Sequence, residues 1–314
     1  MQDSLIGSKI GDCRIEEKIG QGSMGCVYKG YHLKLDIPVA VKILQAVTYI
    51  PDAKERFLRE ARISTRIHHP NIVDVIDIGS QGGIHFIIME YIQGDNLLTV
   101  IKKKGRISRE SAISIALDIL KALELALVHK IVHRDIKPEN ILITKTGKAK
   151  LADLGLARMG GEVNLTKPNT TLGSPHYISP EQIEKSSEAD HRSDIYSLGC
   201  TLYHAITGTV PFSGNSLIQI MLAHQKKPVP LISKTVKSAD PNLCKIIARM
   251  MQKKPSARFQ TPTEAICALE KIQHNTKPKT KNSSKRGNKR GTAFYIFFGS
   301  VFFIFSVLLI LLLT

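Results

Sequence analysis

The stretch VHRDIKPENILI at residues 132–143 constrains the fold of this chain more than any other. It places Asp135, Lys137 and Asn140 together on a short segment. The residues before it, 108–130, repeat apolar side chains at helical spacing, and the apolar residues after it indicate a strand. Charged side chains beside buried Ile, Val and Leu are costly unless they are paired or used. The stretch therefore predicts a functional loop between a long helix and a strand.

Strand patterns fill the first part of the chain and helical patterns fill the rest. Residues 8–45 alternate like short strands around a Gly-rich turn, and two more strand patterns precede residue 93. Residues 53–67 have the spacing of an amphipathic helix. We therefore expect an α+β chain with a small β-rich domain, residues 1–92, followed by a larger α-rich domain, residues 93–272.

The segment 293–314 contains 22 residues without a charge, and 16 of them are Leu, Ile, Phe or Val. At about 1.5 Å per residue a helix of this length crosses the roughly 30 Å hydrocarbon core of a bilayer. A buried core helix or a lipid-anchor signal would explain it less well, because it is apolar all round and the N-terminus has no apolar leader. The sequence predicts a single transmembrane helix.

The linker ahead of this helix, residues 273–292, is basic. Seven Lys and Arg residues and no acid lie within 277–290, and the whole chain has a formal charge of +17. A basic run beside a membrane helix favours the cytoplasmic side, so residues 1–292 are expected to face the cytoplasm. Five scattered cysteines without a C-x-x-C pair are typical of reduced thiols in that compartment.

The run IGQGSMGCV at residues 19–27 has glycines spaced as G-x-G-x-x-G. Such glycines let backbone amides approach phosphates closely. A flexible hairpin or a dinucleotide-binding turn would use the same residues, but the latter requires a helix to follow. The next residues, CVYKGY, indicate a strand instead.

Lys42 ends the motif AVK within the strand-like run VAVKIL. A lysine in such a run often only extends its ammonium group to solvent. However, a predicted helix that carries Glu55 and Glu60 follows, and the mid-helix position favours Glu60 as the partner of Lys42. Further along, KLADLGLAR (150–158) places the single carboxylate of Asp153 after a strand and before a glycine.

Together these motifs form the ordered set G-x-G-x-x-G-x-V, A-V-K, Glu, H-R-D-x-K-x-x-N and D-x-G. Over residues 14–272 the chain resembles the protein kinases, and HRDIKPEN resembles the Ser/Thr class. YISPEQ (177–182) and DIYSLGCTLYHAITGTVPF (194–212) resemble the membrane-anchored, eukaryotic-type (Hanks-type) kinases of bacteria. The resemblance implies a two-lobed kinase fold that acts on ATP.

The resemblance also implies a role for each matching residue. Lys42 would hold the α- and β-phosphates and pair with Glu60. Asp135 would accept the proton of the substrate hydroxyl, and Lys137 would steady the γ-phosphate.

The resemblance implies a binding site for Mg²⁺ (with Mn²⁺ as the alternative), a binding site for ATP and a structural ion pair. Asn140 and Asp153 would be the metal ligands, and Glu181 would pair with Arg258 inside the C-terminal lobe. The implied ATP-binding residues are Ile19, Gly20, Gln21, Gly22, Ser23, Met24, Gly25, Val27, Ala40, Lys42, Met89, Glu90, Tyr91, Ile92 and Leu142. Among them, Glu90, Tyr91 and Ile92 would form the hinge against adenine, behind Met89.

The chain departs from the family pattern at a few positions. Leu154 replaces the usual Phe after Asp153, and it is expected to pack in the same apolar slot. Ser179 stands where Ala is usual, and Ser174 where Thr is usual. These changes leave the metal site intact.

Hydroxyl groups cluster between Asp153 and Glu181. Such clusters are usually only solvated, but Arg134 beside the catalytic Asp could pair with a phosphate. Thr166, Thr170 and Thr171 are therefore candidate autophosphorylation sites.

Three functional classes compete. The leading hypothesis is a membrane-anchored kinase whose partners are proteins bearing Ser or Thr and the lipid bilayer. A pseudokinase scaffold is the alternative, although no catalytic residue is lost. Nucleic-acid binding is not expected, since the basic run lies beside a membrane helix and the chain has no Trp. The sequence leaves open whether the chain forms a homodimer.

Overall fold

A computed structural model describes residues 4–22, 25–44, 65, 67–154 and 175–274, all within one compact unit, Met1–Lys277. The first part of the chain forms an antiparallel six-stranded sheet with the strand order β1-β2-β3-β4-β6-β5. Its strands are β1 Lys9–Ile10, β2 Cys13–Gly22, β3 Gly25–His32, β4 Ile37–Leu44, β5 Val75–Gln81 and β6 Ile84–Glu90.

The central strand β4 is buried on both faces of this sheet. Val39, Val41 and Ile43 pack into a core on one face. Because side chains alternate along a strand, Ala40 and Lys42 point to the opposite face. That face carries the candidate site.

A small second sheet begins directly after the first sheet ends. It has the antiparallel order β7-β8-β9, with β7 Gly94–Asn96, β8 Ile141–Thr144 and β9 Ala149–Leu151. A Cβ atom at Gly94 would lie 1.9 Å from the carbonyl oxygen of Ile143, so only glycine allows this pairing. Residues 91–93 lie between β6 and β7, and the division of the chain near residue 92 stays a prediction.

Helices dominate the remainder of the described chain. They are α1 Leu97–Lys104, α2 Arg109–Val128, α3 Pro180–Lys185, α4 His191–Thr207, α5 Leu217–Lys226, α6 Ile232–Thr235, α7 Pro241–Met250 and α8 Pro262–His274. Every residue of α4 from Ser193 to Thr207 is buried. Gly199 permits this, because a Cβ there would lie 2.8 Å from the Cβ of Met250. Helix α4 is therefore the centre around which α2 and α7 pack.

Some of the predicted features fall outside the described residues. These are Ser23, Met24, the predicted helix with Glu60, the hydroxyl cluster Thr166, Thr170, Thr171 and Ser174, and the segments 275–292 and 293–314. Within residues 4–22, 25–44, 65, 67–154 and 175–274, no helix combines the length and apolar character needed to cross a membrane.

Candidate active site

One buried carboxylate holds the backbone of the loop between α2 and β8. Asp194, in the first turn of α4, accepts hydrogen bonds of 2.8 Å from the backbone amides of both His133 and Arg134. Arg134 has a φ of 66°, a left-handed conformation that a non-glycine residue adopts at a cost of about 1–3 kcal/mol. The paired hydrogen bonds to Asp194 compensate for this strain and fix the shape of the loop.

Asp194 is 1% exposed, and its environment is unusual for a carboxylate. Burial raises the pKa of this carboxyl above its usual value, although the amide hydrogen bonds from His133 and Arg134 act in the opposite direction. Its role is structural, because it contacts the loop backbone and none of the predicted catalytic side chains.

Three predicted side chains meet at the tip of the loop. Lys137 Nζ lies 2.7 Å from Asp135 Oδ2 and 3.0 Å from Asp135 Oδ1. Asn140, on the 3₁₀ turn Pro138–Asn140, donates from Nδ2 to the backbone oxygen of Asp135 at 2.8 Å and to Oδ2 at 3.0 Å. Asp135 thus has a fixed orientation between a cation and an amide.

Asp153 lies at the end of the strand β9 and faces the other sheet. Its Oδ1 atom is 2.7 Å from Lys42 Nζ on β4, across 111 residues of sequence. Burial alone would raise the pKa of this carboxyl, but the ammonium group of Lys42 outweighs burial and holds the pKa below its usual value. Asp153 is therefore ionised at neutral pH. The predicted partner of Lys42, Glu60, lies outside the described residues.

The loop and the strand that carries Asp153 are joined by hydrogen bonds. The amide of Ala152 donates to the carbonyl oxygen of Asn140, and His133 Nε2 donates to the carbonyl oxygen of Ala152, both at 2.9 Å. Because His133 Nδ1 accepts from the amide of Asp135 at 3.2 Å, its ring bridges the two segments. The two halves of the site form one connected network.

Leu154 follows Asp153 and is 5% exposed. It lines a small apolar cavity together with Ile72, Val75, Ile87 and Met89. The structure thus places this leucine in an apolar slot, as expected for a large apolar replacement of Phe.

The donor chemistry of the site fits a hard divalent cation. The Asn140 amide nitrogen is directed at Asp135, which leaves its oxygen for a cation, and one carboxylate oxygen of Asp153 remains beside the bond to Lys42. Mg²⁺ prefers one or two protein oxygen ligands, together with substrate phosphates and water. Across the described part of the chain no cluster of three His, Cys, Asp or Glu could hold a metal by itself. Asn140 and Asp153 are therefore the residues that would bind Mg²⁺ with a nucleotide.

An apolar cluster lies between the two sheets beside this polar network. Of the implied ATP-binding residues, it contains Ala40, Met89, Val27, Tyr91, Ile92 and Leu142. Ala40 and Met89 face each other in the pairing of β4 with β6, and Val27 faces Lys42 in the pairing of β3 with β4. The fold therefore brings residues from four separate segments to one face.

The described residues of the Gly-rich run lie at the adjoining ends of β2 and β3. Gly22 pairs with Gly25, and Gly25 has a φ of 143°. Ile19 is 44% exposed, and Gly20 and Gln21 belong to the same end of β2. This hairpin lies at the end of β3 that pairs with the Lys42 end of β4.

Sequence reasoning missed a contact between the two sheets. Lys150 on β9 donates from Nζ to Glu90 Oε2 at 2.7 Å and to the backbone oxygen of Ile72 at 3.3 Å. The Lys150 side chain is 15% exposed, and Glu90 is one of the predicted hinge residues. The contact ties the hinge to the strand that leads to Asp153. A lysine between the buried residues Ala149 and Leu151 was the available signal.

Replacing Lys150 with methionine is expected to raise the KM for ATP about three- to tenfold, the equivalent of a typical net hydrogen-bond contribution of about 1 kcal/mol. The hinge would lose its tie to β9, whereas Asp135 would keep its contacts, so kcat should change less than KM. Steady-state kinetics with varied ATP measures both. Lys150→Arg should restore most of the affinity, and Lys148→Met, at an exposed position of the same hairpin, should have no effect. An unchanged KM in Lys150→Met would contradict this role.

In the predicted ion pair of the C-terminal lobe, the arginine partner is fully buried. Arg258 donates to Glu181 Oε1 at 2.6 Å and to Oε2 at 2.7 Å, and its side chain is 0% exposed. It also donates to three backbone carbonyls, those of Gln252, Arg192 and Lys253. Burial raises the pKa of Glu181, but the hydrogen bonds from Arg258 outweigh burial and lower it.

Ser179, the residue before α3, has a role that sequence reasoning also missed. Ser179 is the N-cap of α3, and its hydroxyl and amide are bonded reciprocally to Gln182 in a capping box. Gln182 Nε2 then donates to the carbonyl oxygen of Arg134 at 2.9 Å. The S-x-x-Q spacing in SPEQ was the signal for this cap.

Comparison with known proteins defines the class. Residues 13–272 match the family of the protein kinase domain, and the chain therefore belongs to the protein kinase family. It is 40% identical over 285 residues to a probable serine/threonine-protein kinase of Clostridium perfringens, covering 90% of this chain and 41% of that protein. It is 38% identical over 260 residues to the serine/threonine-protein kinase PrkC of Bacillus subtilis, covering 82% of this chain and 40% of that protein.

The fold agrees with a solved kinase structure. The chain is similar to the crystal structure of Rad53 1–466 in complex with AMP-PNP, with a TM-score of 0.68, 26% identity, and 81% of this chain and 64% of that chain covered. The sequence spans about two fifths of the length of the two curated relatives. The match confirms the predicted kinase fold, with a β-rich lobe and a helical lobe.

Proposed function

We propose that the chain is an ATP-dependent protein kinase that transfers a phosphate to Ser and Thr hydroxyls of proteins. One observation carries the proposal. Lys42 contacts Asp153 and Lys137 contacts Asp135, each at 2.7 Å, and Asn140 lies on the loop between them. The names of the two bacterial relatives, both serine/threonine-protein kinases, support the same class of substrate.

The arrangement suits phosphoryl transfer because that reaction needs positioning and positive charge more than covalent help. Asp135 is oriented to accept a hydrogen bond and a proton from a hydroxyl group. Lys137, fixed beside it, would meet the negative charge of the transferred phosphate, and Lys42 would meet the remaining phosphates. Bound Mg²⁺ would neutralise phosphate charge at Asn140 and Asp153.

A scaffold that binds nucleotide without catalysis is not favoured. Such proteins usually lack a lysine, an aspartate or a metal ligand of the catalytic set. Here Lys42, Asp135, Asn140 and Asp153 are all present and connected by hydrogen bonds.

The test uses the full chain in nanodiscs of zwitterionic lipid, with ATP, Mg²⁺ and a protein acceptor. Intact mass is followed over time, and fragmentation assigns the modified residues. We expect phosphate-sized steps on Ser and Thr for the native chain and none for Asp135→Asn. A native chain that binds ATP and transfers no phosphate would support the scaffold instead.

We further propose that residues 293–314 anchor the kinase in a membrane with its catalytic part on the cytoplasmic face. The uncharged segment and the basic run at 277–290 support this placement. Full-length chain should remain in membranes after alkaline carbonate washing, and a chain ending at residue 292 should be released. Protease added to intact cells should spare the kinase. Release of the full chain by carbonate, or its digestion in intact cells, would refute the placement.

Autophosphorylation is expected at Thr166, Thr170 or Thr171. The triple alanine variant should lose at least about tenfold in activity toward an added protein, the equivalent of one charge-assisted hydrogen bond made by a phosphate. The rate of phosphate transfer to the acceptor measures this. Thr146→Ala, at an exposed turn, serves as the control. Full activity in the triple variant would remove the hypothesis.

A further inference from the structure

A second cavity lies in the helical lobe, formed by residues distinct from those of the nucleotide site. It has a volume of about 240 Å³ and is formed by the loop between α1 and α2, the end of α4 and the start of α7. Engineered apolar cavities of about 150 Å³ already bind benzene. This cavity therefore has room for a small ligand, about eight groups of the size of a water molecule.

Four aliphatic side chains form a buried part of the lining of this cavity, which also includes the polar residues Ser108, Ser238 and Asp240. Ile107, Ile206, Val236 and Leu243 line it, and each is at most 8% exposed. The amide of Ile107 donates to the carbonyl oxygen of Ala205 at 2.9 Å, which fixes the loop against α4. Such walls keep the cavity open without a ligand, so little ordering is needed on binding.

The mouth of the cavity is basic. Two arginines line it, and they differ in their partners. Arg109 is neutralised by Asp240, whose Oδ2 lies 2.5 Å from Arg109 Nε. Arg106 is exposed, and the described part of the chain offers it no carboxylate. Lys237, also exposed, lies between the lining residues Val236 and Ser238 in sequence. The excess positive charge favours an anionic group at the mouth.

The chemistry of the lining narrows the class of ligand. None of the described residues that line the cavity is aromatic, so a nucleobase would find no stacking partner. An alkyl chain would cover the four aliphatic side chains, and an anionic head would meet Arg106. We propose that this cavity binds a single alkyl chain of medium length with a carboxylate or phosphate head.

A ligand bound in this cavity would affect α8, the last helix of the described chain. Arg109 also donates from Nη2 to the carbonyl oxygen of Ile272, at 2.9 Å, in the last turns of α8. A head group at the mouth would compete with Asp240 for this arginine. The ligand would thus act on the contact that holds α8, next to the point where the chain continues to residue 275.

Two cysteines provide a readout that is independent of kinase activity. Cys244 lines the cavity, whereas Cys267 on α8 is exposed and does not line it. The full chain in zwitterionic nanodiscs is treated with N-ethylmaleimide at increasing concentrations of decanoate, and peptide mass spectrometry follows both thiols. Decanoate should slow alkylation of Cys244 about three- to tenfold, because pockets of this kind shield most of a ligand and of their walls. The alkylation of Cys267 should be unchanged.

Variants test the two parts of the ligand separately. Arg106→Gln should raise the half-protecting concentration of decanoate about tenfold, the equivalent of one charge-assisted hydrogen bond. Lys104→Gln, a neighbouring exposed residue outside the lining, should leave it unchanged. Decanol should protect less well than decanoate, and acetate should not protect. Leu243→Trp, which fills the cavity, should abolish protection.

The source of the ligand is distinguished by the bilayer. Protection of Cys244 in nanodiscs that contain the single-chain anionic lipid lysophosphatidylglycerol, without decanoate, would identify a membrane lipid. Protection by decanoate alone would identify a free acid, and either outcome supports the site. The proposal would be overturned if alkylation of both cysteines were slowed equally or if alkylation of Cys244 were not slowed. It would also be overturned if Arg106→Gln left the half-protecting concentration of decanoate unchanged. None of these results depends on phosphoryl transfer.

Discussion

Asp153→Asn is expected to lower kcat for phosphate transfer by about 10²- to 10³-fold, the usual loss when one group that meets transition-state charge is removed. The amide keeps the size of the side chain but loses the negative charge that a divalent cation requires. It also leaves Lys42 without the carboxylate that lies 2.7 Å away. Steady-state rates at saturating ATP and Mg²⁺ measure the loss.

The matched control for this variant is Asp77→Asn, the same chemical change at an exposed position of β5. It should leave kcat unchanged. The Asp153→Asn protein should still bind a nucleotide, since the apolar cluster with Ala40 and Met89 is untouched. A variant that retains more than about a tenth of the native kcat would rule out Asp153 as the principal metal ligand.

Glu181→Gln is expected to destabilise the folded protein by about 3–5 kcal/mol, because it leaves the buried guanidinium of Arg258 without its counter-charge. For a unit of this size the loss corresponds to a fall in Tm of about 10 °C. Thermal unfolding measures it. The control is Glu188→Gln, which breaks the exposed pair of Glu188 with Lys185 and should cost less than about 1 kcal/mol.

The effect of Glu181→Gln should depend on pH. Arg258 lowers the pKa of Glu181 in the folded state below the usual 4.5. The stabilisation is therefore fully present above pH 4.5 and is lost as the pH falls through the lowered pKa. The difference in Tm between the native chain and the variant should narrow in acid. A constant difference from pH 7 to pH 3, or equal losses in Glu181→Gln and Glu188→Gln, would contradict this account.

The parts of the site that sequence could predict are those with local signals. Residue order indicates the catalytic loop and the Gly-rich run, and periodicity indicates the change from strand to helix near residue 92. Glu181 with Arg258 could be predicted from the family resemblance, although 77 residues separate them. Leu154 could be placed in an apolar slot because the family pattern has Phe at this position and leucine is also large and apolar.

Other contacts could not be predicted because they depend on how distant elements pack. Asp194 belongs to α4, yet it bonds the backbone of a loop 60 residues earlier. Lys150 reaches Glu90 across two sheets, and its periodicity indicates only that one polar side chain alternates with apolar ones. Ser179 was interpreted as a mild departure from the family pattern, whereas its hydroxyl caps α3. In each case the partner is known only once the fold brings it near.

The hydrogen bond from the Ala152 amide to the Asn140 carbonyl has a consequence for inherited variation. It joins the segments that carry Asn140 and Asp153, and Asp194 in turn holds the same loop from within α4. A substitution in the interior of α4 that tilts the loop would therefore displace both metal-binding groups without touching ATP. The set of positions at which a mutation can silence this protein is thus much larger than its active site. Genetic screens for inactive alleles should recover α4 alongside the catalytic loop.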